Sequence, residues 1–201
     1  SFSVKVMPTG SQAAESAALE FAPYSLKNTA TYPNKTVVET EDFFYSTDTV
    51  TRKVTANSTG SFVVGGKIAD GATATYDEKD GAIYVDGANG VNYAVRLTKK
   101  DNVQFFASEE DMLGGKNALE SISGAKYWTT EVSDLNVGDS AYFAVSASTS
   151  KKAAELYDNA KSGSSTAKAK KRLKNLPQEW TDYISSHGDV NKYIKNIPSG
   201  K

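Results

Sequence analysis

Ala72–Leu97 reads ATATYDEKDGAIYVDGANGVNYAVRL, and its reading decides the fold. Thr73, Thr75 and Tyr76 lead into Asp77-Glu78-Lys79-Asp80-Gly81, where Asp-Gly tolerates positive φ and signals a hairpin. Ala82–Val85 returns, Asp86–Gly90 turns again, and Val91–Leu97 leaves as a third strand. The pattern extends both ways, from Thr49 to Ser148. Upstream, Val50, Arg52 and Val54 alternate with Thr49, Thr51 and Thr55; Asn57–Gly60 turns, and Phe62–Val64 is a short strand stopped by Gly65-Gly66. Downstream come Val103–Ala107, a strand around Tyr127–Val132, and Ser140–Ala147 with Ala141, Phe143 and Val145 on one face. Turn-punctuated strands at intervals of about 8–12 residues are the signature of an antiparallel sandwich or barrel. Alternation, in place of continuous apolar runs, argues against a parallel sheet. The chain is therefore expected to be mainly β, an antiparallel β-sandwich over residues 1–150.

The segment before Thr49 is less regular. Ser1–Pro8 alternates as a strand. Gln12–Phe21 places Ala14, Ala17, Ala18 and Phe21 at helical spacing, which fits a short helix capped by Ser11 or an irregular connection. Phe21–Asn34 reads as loop with at most one short strand near Tyr24–Lys27, and Lys35–Tyr45 as strand then turn. Ser108, followed by Glu109, Glu110 and Asp111, predicts a capped helical turn ending at Gly114-Gly115.

After Ser148 the period changes. Lys152–Lys161 and Thr166–Leu176 each carry an apolar helical face, and Pro177 sits where a new helix can start. Leu176, Trp180, Tyr183, Ile184 and His187 form one stripe that Gly188 ends, and Asp189 caps a last short helix before Pro198. Residues 151–201 are thus expected to be a cluster of short α-helices, an appendage on or beside the sandwich.

The 201 residues carry a formal net charge of -1, so no global field recruits a polyanion. The basic run Lys168–Lys174 lacks the interleaved aromatics of a single-strand binding platform and reads as a solvated helix face, so no nucleic-acid partner is expected. Absence of Cys excludes disulfides, thiol catalysis and Cys-ligated metals. No run of 18 apolar residues occurs, so no membrane insertion by helix is expected. The opening residues show no basic region followed by an apolar stretch, and a signal peptide is expected to lie outside this sequence.

Catalysis finds little support. The one histidine, His187, sits at a helix end where a cation suits the macrodipole. Glu109, Glu110, Asp111 and Glu131 are carboxylates of the kind that hydrolyse glycosides, but the first three are explained as a helix start. The chain is expected not to be an enzyme. Asp77, Glu78, Asp80, Asp86 and Asn89 suit turns; a structural calcium is conceivable there, but no cofactor is expected.

The aromatics carry the functional signal, with 11 Tyr against 2 Trp. Sugar rings stack apolar faces on flat side chains, while their hydroxyls bond polar neighbours. Lys126-Tyr127-Trp128 offers both on one strand. Trp128 shares a face with Val132, which points it inward and Tyr127 outward; at an edge or bulge the assignment reverses. Candidate ligand-binding residues are Trp128, Tyr127, Tyr93, Lys126 and Asn92.

Gly65-Gly66-Lys67, Asn92–Leu97 (NYAVRL), Asn102–Ser108 (NVQFFAS) and Leu135–Val145 (L-x-V-G-D-S-A-Y-F-A-V) resemble β-sandwich modules of secreted polysaccharide-degrading enzymes and starch-adherence proteins of gut Clostridia. The resemblance covers under half the chain. It implies a secreted or cell-surface bacterial protein that binds a polysaccharide without catalysis, foremost starch or another α-glucan; the chain is expected to be a monomer and part of a larger multidomain surface protein. Pectin-type acidic glycans would instead use Lys67, Arg96, Lys99 or Lys126. A structural or adhesive domain making protein–protein contacts through its helical tail is the alternative.

Overall fold

In the computed structural model, which describes residues 4–8, 14, 16–33, 35–56, 60–98 and 101–187, twelve strands form two antiparallel sheets. The strands are β1 (Val4–Pro8), β2 (Ser16–Ala22), β3 (Ser25–Thr31), β4 (Val37–Phe44), β5 (Thr49–Ala56), β6 (Gly60–Lys67), β7 (Thr73–Asp77), β8 (Ala82–Ala88), β9 (Val91–Arg96), β10 (Asp101–Phe106), β11 (Tyr127–Leu135) and β12 (Ser140–Ser148). One sheet has the order β1-β6-β11-β10, the other β2-β3-β4-β5-β12-β9-β8-β7. Helix α1 (Glu109–Gly114) links β10 to β11; a 3-10 turn (Ala153–Leu156), α2 (Tyr157–Gly163) and α3 (Thr166–Ser186) follow β12. The expected mainly β, sandwich-like architecture with a C-terminal helical segment is what is seen.

The stretch Ala72–Leu97 forms β7, β8 and β9 as its turn residues dictate. Gly81 sits at φ 62°, and Asn89-Gly90, at 55° and 81°, closes β8–β9 with two left-handed residues. Val54, Ile83, Val95 and Phe143 of the larger sheet meet Phe62, Trp128 and Val132 of the smaller in one core. Hydrophobic alternation decides which face each strand turns to that core.

The larger sheet is buried on its second face as well. Ala82, Tyr84 and Ala94 pack under Ala153, Leu156 and Ala160; Phe43 and Tyr142 pack under Ala169 and Leu176. The helical segment is therefore a third layer on the sheet. Small residues let it lie close: a Cβ on Gly163 would stand 2.7 Å from Thr49 Cγ2 and 3.1 Å from Ala144 Cβ. Polar ties cross the same seam. Thr51 Oγ1 donates to the Gly163 carbonyl at 2.7 Å, and Asn159 Nδ2 donates to Asp48 Oδ2 at 2.8 Å. Burial alone would raise the Asp48 carboxyl, but hydrogen bonds from Thr49, Ser46 and Asn159 outweigh it and hold it below its usual value.

Four expectations change. The Ala-rich segment is strand β2, because it pairs along its whole length with β3; pairing overrides the helical spacing of its alanines. Phe21–Asn34 is not mainly loop, since β3 is a seven-residue strand held between β2 and β4. Gly65-Gly66 does not stop β6; the strand runs through to Lys67, and the bare Gly66 backbone makes room for Trp128. Pro177 does not start a helix but lies inside the 21-residue α3. It lacks the N–H that would bond the Leu173 carbonyl. The helix is carried across it by Leu173 and Leu176 packed on the sheet and by the Arg172–Glu179 ion pair. The Ser11 cap, the turn residues 57–59, Lys99 and the last helix from Asp189 lie outside the described residues.

Candidate functional site

The five residues chosen from sequence do not assemble into a platform. Trp128 is 1% exposed, its indole laid on Gly66, so neither ring face is open to a ligand. Its strand is internal to the smaller sheet, and alternation with Val132 sends it inward. Tyr93 is likewise in the inter-sheet core, and burial raises its hydroxyl pKa. Asn92 is structural: its Oδ1 accepts from Gly87 N at 2.9 Å, and its Nδ2 donates to the Lys151 carbonyl at 3.0 Å, tying the β8–β9 hairpin to the helical layer. Tyr127 is half-buried against the core. Lys126 is exposed and pairs with Asp70 at 3.0 Å; that hydrogen bond and the charges of Lys126 and Lys67 hold the Asp70 carboxyl below its usual value.

Three of the candidate carboxylates, Asp77, Asp86 and Asp111, accept hydrogen bonds within the fold. Ser108 Oγ accepts from Asp111 N at 3.2 Å, capping α1, and Asp111 Oδ1 accepts from Asn117. Asp77 Oδ1 accepts from Asp80 N, and Asp86 Oδ1 accepts from Ala153 N, which caps the 3-10 turn from across the fold. Among the described residues no three His, Asp or Glu side chains converge as metal ligands. No described helix is long and apolar enough to cross a membrane.

The exposed aromatics collect elsewhere. At one end of the larger sheet the β2–β3 turn and the ends of β4 and β5 face the C-terminal half of α3 across a groove of about 600 Å³. Phe21, Tyr24, Leu26, Phe44 and Val50 form the sheet wall; Leu176, Trp180 and Tyr183 form the helix wall. Phe21 is 75% exposed, Phe44 63%, Tyr183 47% and Trp180 39%, unusual values for large apolar side chains on one patch. The volume falls within the range of about 300–1,000 Å³ typical of binding pockets.

Helical spacing builds the helix wall. Trp180, Tyr183 and His187 lie at i, i+3 and i+7, so their rings stack in series. Trp180 and Tyr183 centroids are 5.8 Å apart at 20°, and Tyr183 and His187 are 4.0 Å apart at 23°. His187 Nδ1 lies 2.9 Å from the Tyr183 carbonyl, which the Nδ1–H tautomer would use. Tyr183 is thus held between two rings and offers its edge; Trp180 keeps one face for the groove.

Four polar side chains of the lining, Asp42, Ser25, Arg172 and Glu179, already have partners, while Tyr24 and Tyr183 bring hydroxyls to it. Arg52 Nε and Nη2 donate to the two oxygens of Asp42, each at 2.6 Å. Arg172 pairs with Glu179, and Ser25 Oγ donates to Glu41 at 2.9 Å. The groove therefore offers apolar area with few free hydrogen-bonding groups. In the sequence Trp180 and Tyr183 share one helical stripe with Leu176, and nothing in that spacing separates a docked residue from an exposed one. Phe21 and Phe44 gave no signal, because alternation does not show where a facing sheet stops covering a strand.

No protein-family model matches this chain, and no curated protein matches it in sequence.

Proposed function

We propose that the protein is a non-catalytic binding domain of a bacterial surface or secreted protein, and that it makes protein–protein contacts through the groove between the sheet end and α3. The observation that carries this reading is the pairing of an aromatic lining with charged neighbours, Asp42, Arg172 and Glu179, that already hold ion-pair partners. A segment presenting two or three large apolar side chains gains burial there, at roughly 25 cal/mol per Å² removed from water, and leaves no ion pair broken. Apart from the hydroxyls of Tyr24 and Tyr183, a sugar would have to compete for groups now held by Arg52, Glu41 and Glu179, and each buried hydroxyl left unpaired costs about 1–3 kcal/mol.

Glycan binding is the second reading. Its support is the free face of Trp180 beside Phe44 and Phe21, in a shallow open site, together with the strand motifs that resemble polysaccharide-binding modules. On this reading the sugar site lies at the groove, and α-glucan remains its first candidate.

Selection from a phage-displayed random peptide library, counter-selected with the Trp180→Ala variant, separates the two. The protein-contact reading expects peptides with large apolar residues at regular spacing, whose binding falls at least tenfold in Trp180→Ala and in Phe44→Ser. Retention on insoluble starch, cellulose or pectin that the same variants abolish, with no peptide consensus, would replace it by the glycan reading.

A further inference from the structure

Strand β2 is the last strand of the larger sheet and pairs only with β3. A free edge presents alternate N–H and C=O groups, ready to pair with another strand, and proteins commonly blunt such edges. The other three edges are blunted here. β1 ends in Pro8, β10 shifts register between Asp101 and Gln104, and β7 is five residues long and runs into an acidic turn. β2 has no such device: it holds no Pro, Lys or Gly, keeps one register through seven pairs, and carries a single charge, Glu20. Six of its seven residues are exposed. Leu19 is 60% and Phe21 75% exposed, and strand alternation puts both on one face.

We propose that β2 pairs antiparallel with β2 of a second copy, about a two-fold axis through Leu19, joining two eight-stranded sheets into one. The sequence of the strand selects that register. Centred on Leu19, Ser16 faces Ala22, Ala17 faces Phe21, Ala18 faces Glu20, and Leu19 faces Leu19. The one charge of each copy then meets an alanine, and Leu19 and Phe21 of both copies form a continuous apolar stripe through direct and diagonal neighbours. Centred on Glu20, the two carboxylates would oppose each other. Centred on Ala18, Phe21 would overhang without a partner. The interface is self-complementary and uses the one unblunted edge among the described strands, so it closes as a dimer and does not propagate. This departs from the monomer expected from sequence. The edge shares Phe21 and Ala22 with the groove, while its centre at Leu19 lies outside it.

The test uses the full chain. Sedimentation equilibrium over a concentration series into the hundreds of micromolar is expected to show a reversible dimer. Leu19→Lys and Leu19→Glu each place like charges face to face on the axis and remove the central apolar contact, and each should weaken the dimer at least about tenfold. An equimolar mixture of the two should form a heterodimer. Because the chain holds no cysteine, Leu19→Cys supplies a clean reporter. On mild oxidation it should form a disulfide-linked dimer at least tenfold faster than Phe44→Cys, whose residue is equally exposed but lies off the axis. Trp180→Ala, which alters the groove, should leave the dimer intact. A monomer at every concentration, a dimer that Leu19→Lys leaves unchanged, or equal oxidation rates for the two cysteine variants would overturn the proposal.

Discussion

Gly66→Ala tests whether Trp128 is a core residue or a ligand platform. The two residues are register partners on β6 and β11. A Cβ on Gly66 would stand 2.6 Å from Trp128 Nε1, 2.7 Å from Cε2 and 2.8 Å from Cζ2. Carbon contacts settle near 3.5–4.0 Å, so about 1 Å of overlap must be relieved against three atoms of one rigid ring. That ring is 1% exposed and packed among Phe62, Val132 and their neighbours, so it cannot swing into solvent. Overpacking of this kind costs about 1–3 kcal/mol. For a chain of this size each kcal/mol moves Tm by about 2–4 °C, which gives a fall of about 2–12 °C in a thermal melt. Trp128→Phe removes the overlapping indole atoms, so adding Gly66→Ala to it should cost clearly less than adding Gly66→Ala to the native chain. That non-additivity, read from a double-mutant cycle, is the signature of direct contact. An unchanged or higher Tm in Gly66→Ala, or strict additivity, would refute the placement of the ring on Gly66.

Gly163→Ala should likewise lower stability by about 1–3 kcal/mol, because its Cβ would overlap Thr49 and Ala144 and lift α2 from the sheet; hydrogen exchange of α2 and α3 amides should rise with it. Alkaline pH should unfold the protein cooperatively. Burial raises the hydroxyls of Tyr32, Tyr76, Tyr84, Tyr93 and Tyr142, with Asp80 adding to the effect at Tyr84. Each folded pKa lies above the unfolded value of 10, so this stability is complete below pH 10 and is lost as pH rises beyond it. Each such tyrosine steepens the fall by up to about 1.4 kcal/mol per pH unit. Tyrosinate absorbance should therefore appear in step with loss of circular dichroism; smooth ionisation of all tyrosines near pH 10 in the folded protein would contradict this.

The parts of the fold legible in the sequence were those specified locally. Asp80-Gly81 and Asn89-Gly90 demand positive φ, Ser108 caps a helix, and Ala141, Phe143 and Val145 alternate onto the core. What was not legible depended on distant partners. Nothing within Ser16–Ala22 says strand except that β3 lies alongside it. Gly65-Gly66 looks like a break until Trp128 arrives from another strand to occupy the space. Pro177 looks like a helix start because the packing and the Arg172–Glu179 pair that carry α3 through it are tertiary and long-spaced. The site was less legible than the fold for the same reason. Exposure of Phe21 and Phe44 depends on which other elements reach those strand ends, and no residue in either strand records that.

The surplus of tyrosines has a structural origin that also redirects the search for a site. A sheet covered on one face needs one set of apolar side chains; the eight-stranded sheet here is covered on both. Tyr93 serves the inter-sheet core, while Tyr84 and Tyr142 serve the second face beneath the helical segment. On that second face the Tyr84 ring packs under the helical segment and ends at a polar margin, donating to Asp80 at 2.9 Å. Strand aromatics in this chain thus mark a third layer. The rings left over for recognition are those the layers do not reach: Phe21 and Phe44 at the strand ends, and Trp180 and Tyr183 on the end of α3 that runs past Leu176, its last buried anchor. Helix α3 continues for ten residues beyond Leu176, and Trp180 and Tyr183 on that continuation make one wall of the groove.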